Sequence, residues 1–82
     1  NKMKYVMFIK QSCPFCVKAI EILEQKSVEF KIVNFEENQT EILQEIKDAY
    51  AWPTVPMIFQ VKDNTAIEFI GGFTDLKEHF NE

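Results

Sequence analysis

A short apolar run that leads into a helical pattern is the feature that most constrains the fold of this chain. Met3 to Ile9 is almost free of polar residues, which is typical of a strand buried on both faces of a partly parallel sheet. After a polar loop, apolar residues recur with the spacing of an amphipathic helix, at Cys16, Ala19, Ile20 and Leu23. A strand followed by such a helix predicts an α/β fold, because a crossover is needed to reach a parallel neighbouring strand.

Pro14 marks the start of this helix. Proline suits the first helical position, since its missing N–H has no partner within the helix there. Cys13 then becomes the N-cap, and its sulfur is expected to face the backbone N–H groups of Phe15 and Cys16. The positive end of the helix dipole lies at the same place, so we expect the pKa of the Cys13 thiol below its ordinary value of about 8.5. Cys16, one turn further along, should be buried and less ionised.

The middle of the chain predicts a second strand and a second helix. Glu29 to Phe35 alternates as a strand, with Phe30 and Ile32 on its inner face. Asn38 is followed three positions later by Glu41, which predicts a capping box at the start of the next helix. Pro53 should end that helix.

The last third of the chain predicts a hairpin and a closing helix. Met57 to Val61 and Ala66 to Ile70 have strand character, and Asp63-Asn64 between them favours a turn. After Gly71-Gly72, Asp75 and Glu78 have the spacing of a second capping box. The complete predicted order is β-α-β-α-β-β-α.

Length and charge narrow the possible functions. A chain of 82 residues has room for a single domain, here residues 1–82. Nine basic against thirteen acidic residues give a net charge of −4, which argues against binding to nucleic acid phosphates. No apolar run approaches the roughly 20 residues that cross a bilayer, and the start lacks a signal-peptide pattern. We therefore expect a soluble, cytoplasmic protein with no membrane partner.

The two cysteines allow three uses: a structural disulfide, part of a metal site, or a redox pair. Closing so short a loop as Cys13 to Cys16 stabilises a fold by only roughly 2 kcal/mol. A zinc site needs four ligands, and the single histidine, His79, is far away in sequence. Two buried cysteines without a redox role are a further alternative. The spacing favours a redox pair, and no metal is expected.

Three separated motifs together resemble the glutaredoxin family. They are Cys13-Pro14-Phe15-Cys16 after the first strand, Thr54-Val55-Pro56 before the third, and Gly71-Gly72-Phe73-Thr74-Asp75 before the last helix. The match covers nearly the whole chain. The resemblance implies a thioredoxin-like fold, in which a four-stranded mixed sheet is flanked by three helices.

The resemblance also implies an activity. Glutaredoxins are glutathione-dependent thiol–disulfide oxidoreductases that reduce protein disulfides and glutathione mixed disulfides. Cys13 would be the nucleophile and Cys16 the resolving thiol, with glutathione as reductant and co-substrate. The implied partners are glutathione and disulfide-containing or glutathionylated proteins, with ribonucleotide reductase as one candidate, and we expect a monomer.

A glutathione site follows from the same resemblance, formed by Lys10, Phe15, Thr54, Val55, Pro56, Gly72, Phe73, Thr74 and Asp75. Pro56 would be cis, and the backbone of Val55 would pair with the cysteinyl part of glutathione. Asp75 would meet the γ-glutamyl ammonium group, while N–H groups at the start of the last helix would bind the adjacent carboxylate. Lys10 would pair with the glycyl carboxylate. A polar contact from the second helix stays open among Gln39, Thr40 and Gln44.

Two alternatives from other classes share the cysteine pair. A thioredoxin-like protein electron carrier would need no glutathione groove and would be recharged by a flavoenzyme. An iron–sulfur binding module would require two copies of the chain to share their Cys13 thiolates and two glutathiones. Pro14 stiffens the loop where cluster-binding glutaredoxins usually have a glycine, which disfavours the module.

Overall fold

The computed structural model describes residues 3–10, 12–36, 39–62 and 66–80. Its elements follow the predicted order: β1 (Met3–Lys10), α1 (Pro14–Gln25), β2 (Glu29–Phe35), α2 (Thr40–Ala49), β3 (Met57–Lys62), β4 (Ala66–Gly71) and α3 (Phe73–Phe80). Among these residues, no helix has both the length and the apolar character needed to cross a membrane.

The four strands form one mixed sheet in the order β2-β1-β3-β4. β1 pairs with β2 in parallel, and α1 is the crossover between them. β1 and β3 are antiparallel, as are β3 and β4. The predicted four-stranded mixed sheet with three helices is therefore confirmed.

One face of the sheet carries the main hydrophobic core. Side chains alternate along a strand, so Tyr5 and Met7 of β1 point to the same face. Both are buried there, in a cluster that includes Leu23 of α1 and Leu76 of α3. α1 and α3 pack beside each other over this face. Their shared packing fixes the start of α3 relative to the start of α1.

The opposite face of the sheet is aromatic and less completely covered. Val6 and Phe8 of β1 are half-buried, so the prediction that β1 is buried on both faces is wrong for this face. α2 has a single buried residue, Leu43. An apolar cavity of about 320 Å³ remains between α2 and the sheet, lined in part by Phe8 and Phe59.

Several predicted element ends differ in detail. The N-cap of α2 is Gln39, whereas the predicted cap, Asn38, lies outside the described residues, as does the Asp63-Asn64 turn. The Gln39 side-chain oxygen accepts a hydrogen bond from the Glu36 N–H at 3.1 Å, which favours the later start. In β2, Ile32 is 37% exposed, because β2 is an edge strand.

Candidate active site

Cys13 is the N-cap of α1, as predicted. Its backbone is extended, with φ −117° and ψ 97°, and Pro14 follows in the first helical turn. The Cys16 N–H donates a hydrogen bond to Cys13 Sγ at 3.2 Å. The second predicted bond, from the Phe15 N–H, is not formed among the described residues. A sulfur at this position receives both an N–H donor and the positive end of the helix dipole, and both favour its anionic form.

The two cysteines form a disulfide, with Cα atoms 5.2 Å apart. Their exposure differs in the predicted direction: Cys13 is half-buried, whereas Cys16 is 2% exposed and packs on the inner side of α1. An external thiol can therefore approach the Cys13 sulfur more readily than the Cys16 sulfur. This asymmetry suits a pair in which one cysteine exchanges with substrates and the other resolves.

The loop before β3 lies against the cysteine pair. The Val55–Pro56 peptide bond is cis, as the resemblance implied. The carbonyl oxygen of Val55 is 3.9 Å from Cys13 Sγ, and Pro56 is buried behind it. Among the described residues, the Val55 N–H has no backbone partner. Within this part of the chain, the residue whose carbonyl lies at the Cys13 sulfur thus also has a backbone donor without a backbone partner.

The start of α3 forms the neighbouring part of the site. The Gly72 N–H donates a hydrogen bond to Asp75 Oδ2 at 3.0 Å, and the Leu76 N–H donates to the Gly72 carbonyl at 2.9 Å. Asp75 is therefore the third residue of α3 and not its cap, so the predicted capping box is wrong. The remaining N–H groups of the first turn, those of Phe73, Thr74 and Asp75, have no partner within the helix.

An aromatic pair connects the start of α1 to the start of α3. The rings of Phe15 and Phe73 lie 5.8 Å apart between centroids. Phe15 is 54% exposed, so much of its ring faces solvent beside Cys13. Lys18 Nζ lies 5.3 Å from the centre of the Phe15 ring. The apolar wall next to the cysteine pair therefore carries a positive charge.

Most of the predicted site residues lie next to another predicted site residue in the structure. Val55 lies at Cys13, Phe73 lies at Phe15, and a Cβ at Gly72 would be 3.6 Å from the Pro56 carbonyl. The side chains of Lys10 and Thr54 are exposed and form no hydrogen bond or ion pair among the described residues. Their roles, like those of the other predicted glutathione contacts, stay predictions.

The polar candidates at α2 differ in whether their side chains already form hydrogen bonds within the protein. The Gln39 oxygen accepts from Glu36, and Gln44 Nε2 donates to Asp48 Oδ1 at 2.9 Å. Thr40 is exposed and is the first residue of α2. These contacts leave Thr40 with the fewest competing bonds in this part of the chain.

Trp52 was not predicted as a site residue, yet it lies against Gly72. A Cβ built on Gly72 would be 3.5 Å from Trp52 Cζ2. The indole ring packs on Phe69 at 5.3 Å, and its buried N–H has no hydrogen-bond partner among the described residues. Its position two residues before Thr54 was the available signal, but aromatic residues are more often part of a core.

A polar network extends from the buried side chains of Tyr5 and Gln60 to the exposed side chain of His79. The Gln60 amide donates to Tyr5 Oη at 3.1 Å, and His79 Nε2 is 3.0 Å from the same oxygen. Burial raises the pKa of Tyr5 above its ordinary value, and the hydrogen bond from Gln60 partly opposes this. His79 thus contacts a tyrosine of the core.

No group of three or more His, Cys, Asp or Glu side chains is placed to hold a metal ion in the part of the chain that the structure describes. The expectation that the protein binds no metal stays a prediction.

Comparison with known proteins gives a consistent family. The family model described as glutaredoxin matches residues 5–65, which is more than half of the chain. Glutaredoxin-1 of Sus scrofa is 37% identical over 79 residues, covering 90% of this chain and 70% of the relative. Glutaredoxin-1 of vaccinia virus (strain Copenhagen) is 35% identical over 82 residues, covering 92% of this chain and 69% of the relative.

A solved structure agrees with these sequence matches. The crystal structure of glutaredoxin 1 from Francisella tularensis, complexed with cacodylate, superposes with a TM-score of 0.73 at 30% identity. The match covers 94% of this chain and 91% of that one. The fold is therefore thioredoxin-like, and the Cys13–Cys16 pair is that of a thiol–disulfide oxidoreductase. On the family model, the relatives and the fold together, the chain belongs to the glutaredoxin family.

Proposed function

We propose that this protein is a glutathione-dependent thiol–disulfide oxidoreductase that reduces glutathione mixed disulfides and protein disulfides. The observation that carries the proposal is the position of Cys13 Sγ, at the N-cap of α1 and 3.9 Å from the Val55 carbonyl. A thiolate is favoured at that helix end. Val55 also has a backbone N–H without a backbone partner among the described residues, to which an extended ligand could bind by its backbone.

The proposed monothiol reaction has two exchanges. The Cys13 thiolate attacks the glutathione sulfur of a mixed disulfide, so a new Cys13–glutathione bond forms and the substrate leaves as a thiolate. A second glutathione thiolate then attacks the glutathione sulfur on Cys13, which releases oxidised glutathione and restores the Cys13 thiolate. Each turnover consumes one free glutathione: the substrate leaves as a reduced thiol, and the oxidised glutathione joins that molecule to the glutathione removed from the mixed disulfide. A stabilised Cys13 thiolate is a good leaving group in the second exchange.

A dithiol reaction uses both cysteines on a protein disulfide. Cys13 forms a mixed disulfide with the substrate protein, and Cys16 attacks Cys13 to release the reduced product. The resulting Cys13–Cys16 disulfide is the state that the structure holds. Two molecules of glutathione would then reduce it.

The residues present fit glutathione as a co-substrate. The backbone of Val55 would pair with its cysteinyl part, beside the wall formed by Thr54, Pro56, Phe15 and Phe73. The γ-glutamyl carboxylate would bind free N–H groups of Thr74 and Asp75, because the Gly72 N–H is already bonded to Asp75 Oδ2. The second carboxylate oxygen of Asp75 would face the ammonium group, and Lys10 would face the glycyl carboxylate.

Within this proposal, the substrates are glutathionylated and disulfide-containing proteins, with ribonucleotide reductase as one candidate. We also propose that the protein acts as a monomer in the cytoplasm.

The experiment compares two cysteine variants on a glutathionylated peptide, with glutathione as the reductant. Cys13→Ser should lower kcat/KM at least about 1000-fold, because it removes the nucleophile. Cys16→Ser should keep substantial activity, since the monothiol reaction does not use that sulfur. A thioredoxin-like carrier would show the opposite: no need for glutathione, and no turnover without Cys16. Activity that survives in Cys13→Ser would contradict the proposal.

A further inference from the structure

A groove of about 610 Å³ runs between α1 and α3. Apolar side chains from both helices line it, including Ile22, Phe73 and Phe80. Three lysines also line it: Lys18 in the second turn of α1, Lys26 at its C-cap, and Lys77 on α3. The groove therefore combines an apolar floor with positive charge.

The charge of this α1–α3 groove is opposite to that of the whole chain. The chain has a net charge of −4, whereas the groove lining has three lysines and one acidic residue, Glu21. In the described part of the chain, ion pairs are formed by Lys4 with Glu29 and by Lys62 with Glu68, and no groove lysine takes part. Cations concentrated in one groove of an acidic protein attract an anionic partner.

Two of the lysines lie over aromatic rings at opposite ends of the groove. Lys18 Nζ is 5.3 Å from the centre of the Phe15 ring, and Lys26 Nζ is 5.6 Å from that of Phe80. Such cation–ring contacts hold an ammonium group close to an apolar surface while leaving hydrogen atoms free to donate. A carboxylate next to an apolar side chain would match this arrangement.

The groove begins beside the redox pair. Phe73 lines its near end and contacts Phe15, which lies between the two cysteines. Lys18 and Lys26 are separated by about 12 Å along α1 at 1.5 Å per residue. An extended peptide rises about 3.3 Å per residue, so roughly four residues fit this length. Phe73 is shared with the proposed glutathione wall, whereas the contacts proposed at Val55, Thr74 and Asp75 do not line the groove and its three lysines have no proposed glutathione contact.

We propose that the α1–α3 groove binds an acidic segment of the disulfide substrate protein, close in sequence to its reactive cysteine. The segment has about four residues, with carboxylates for the lysines and at least one apolar side chain for the floor. This inference rests on the proposed function and adds the class of substrate protein. Selection of the protein substrate is then separate from binding of glutathione.

The test uses two glutathionylated peptides that differ only in the tail after the cysteine. One tail has Asp and Glu around a Phe, and the other has Asn and Gln in place of the acids. The wild-type protein should have the higher kcat/KM for the acidic peptide, and added salt should reduce that preference. The variant Lys26→Glu/Lys77→Glu should lose about 5- to 10-fold on the acidic peptide and less than about 2-fold on the neutral one.

Lys31→Glu is the control for charge reversal outside the groove, and it is compared with the single variant Lys26→Glu, because each changes the net charge by the same amount. Lys31 is exposed on β2 and lies opposite Val6 in the parallel register, so it shares the α2 face and not the α1–α3 face. All three variants should keep the wild-type circular dichroism spectrum and melting temperature. Lys31→Glu should change both peptides by less than about 2-fold, whereas Lys26→Glu should lose more on the acidic peptide than on the neutral one.

Three outcomes would overturn the groove assignment: no tail preference in the wild type, equal losses in Lys31→Glu and Lys26→Glu, or equal losses on both peptides. The second would show a general charge effect, and the third an effect on glutathione. No glutathione-dependent turnover of either peptide would instead contradict the proposed function itself. The two failures are therefore distinguishable.

Discussion

Gly71 and Gly72 place different demands on the residue type, although they are adjacent and both buried. Gly71 has φ +128°, a conformation that side chains of L-residues rarely adopt. A Cβ there would also lie 2.5 Å from Asp75 Oδ2, the oxygen that accepts from the Gly72 N–H. At Gly72, the nearest atom to a built Cβ is 3.5 Å away, which is ordinary contact.

We therefore predict that Gly71→Ala lowers the free energy of unfolding by about 2 kcal/mol. Gly72→Ala is the matched control and should change it by less than about 1 kcal/mol. Urea denaturation followed by circular dichroism measures both. Equal effects of the two substitutions would show that the backbone at Gly71 carries no special requirement.

At the level of elements, a partly buried hydrogen-bond network joins β1, β3 and α3. Tyr5 of β1 contacts Gln60 of β3 and His79 of α3 through its hydroxyl oxygen. Tyr5 is 2% exposed, and burial raises its pKa from the ordinary value of 10.0. The hydroxyl group therefore keeps its proton in the folded state at a pH where the unfolded chain begins to lose it.

This difference predicts a loss of stability at alkaline pH. Above about pH 10 the folded state binds more protons at Tyr5 than the unfolded state, so the free energy of unfolding falls as pH rises. Tyr5→Phe removes this contribution. The wild-type value minus the variant value should be flat from about pH 8 to 9 and should decrease above pH 10, measured by urea denaturation. A difference that stays constant across the whole range would contradict the assignment.

The elements, and the residues that begin and end them, were largely predictable from the sequence. Strand and helix patterns depend on local periodicity, so the element order and the boundaries of Glu29–Phe35 agree with the structure. Pro14 and the cysteine spacing likewise located the sulfur at the N-cap of α1. These features are local in sequence, and local physical rules are enough to predict them.

Contacts between distant segments could not be predicted in this way. Three such features depend on how the helices pack over the sheet. They are the contact of Trp52 with Gly72, the contact of His79 with Tyr5, and the grouping of lysines in the α1–α3 groove. The prediction that β1 is buried on both faces was wrong for a related reason. How closely α2 packs on the aromatic face depends on tertiary packing, and in this structure the packing leaves a cavity. Periodicity identifies an apolar face but not the completeness of its cover.

For the molecule as a whole, the site exists only when three distant segments come together. Cys13 at the start of α1, Val55 before β3 and Gly72 before α3 meet at one end of the sheet. We expect the Cys13 thiol to be converted into a thiolate by the folded structure and not by the local sequence. Unfolding should therefore abolish the effect, because it removes the helix end and its N–H donor.

The most direct test is the pH dependence of iodoacetamide alkylation in reduced Cys16→Ser, a variant with one thiol that retains the backbone N–H of residue 16. In the folded protein, we expect Cys13 to be largely ionised at neutral pH, so alkylation should stay fast well below pH 8.5. In concentrated urea, the midpoint should return to the ordinary cysteine value of about 8.5. The same midpoint near 8.5 in both conditions would show that the folded structure does not stabilise the Cys13 thiolate.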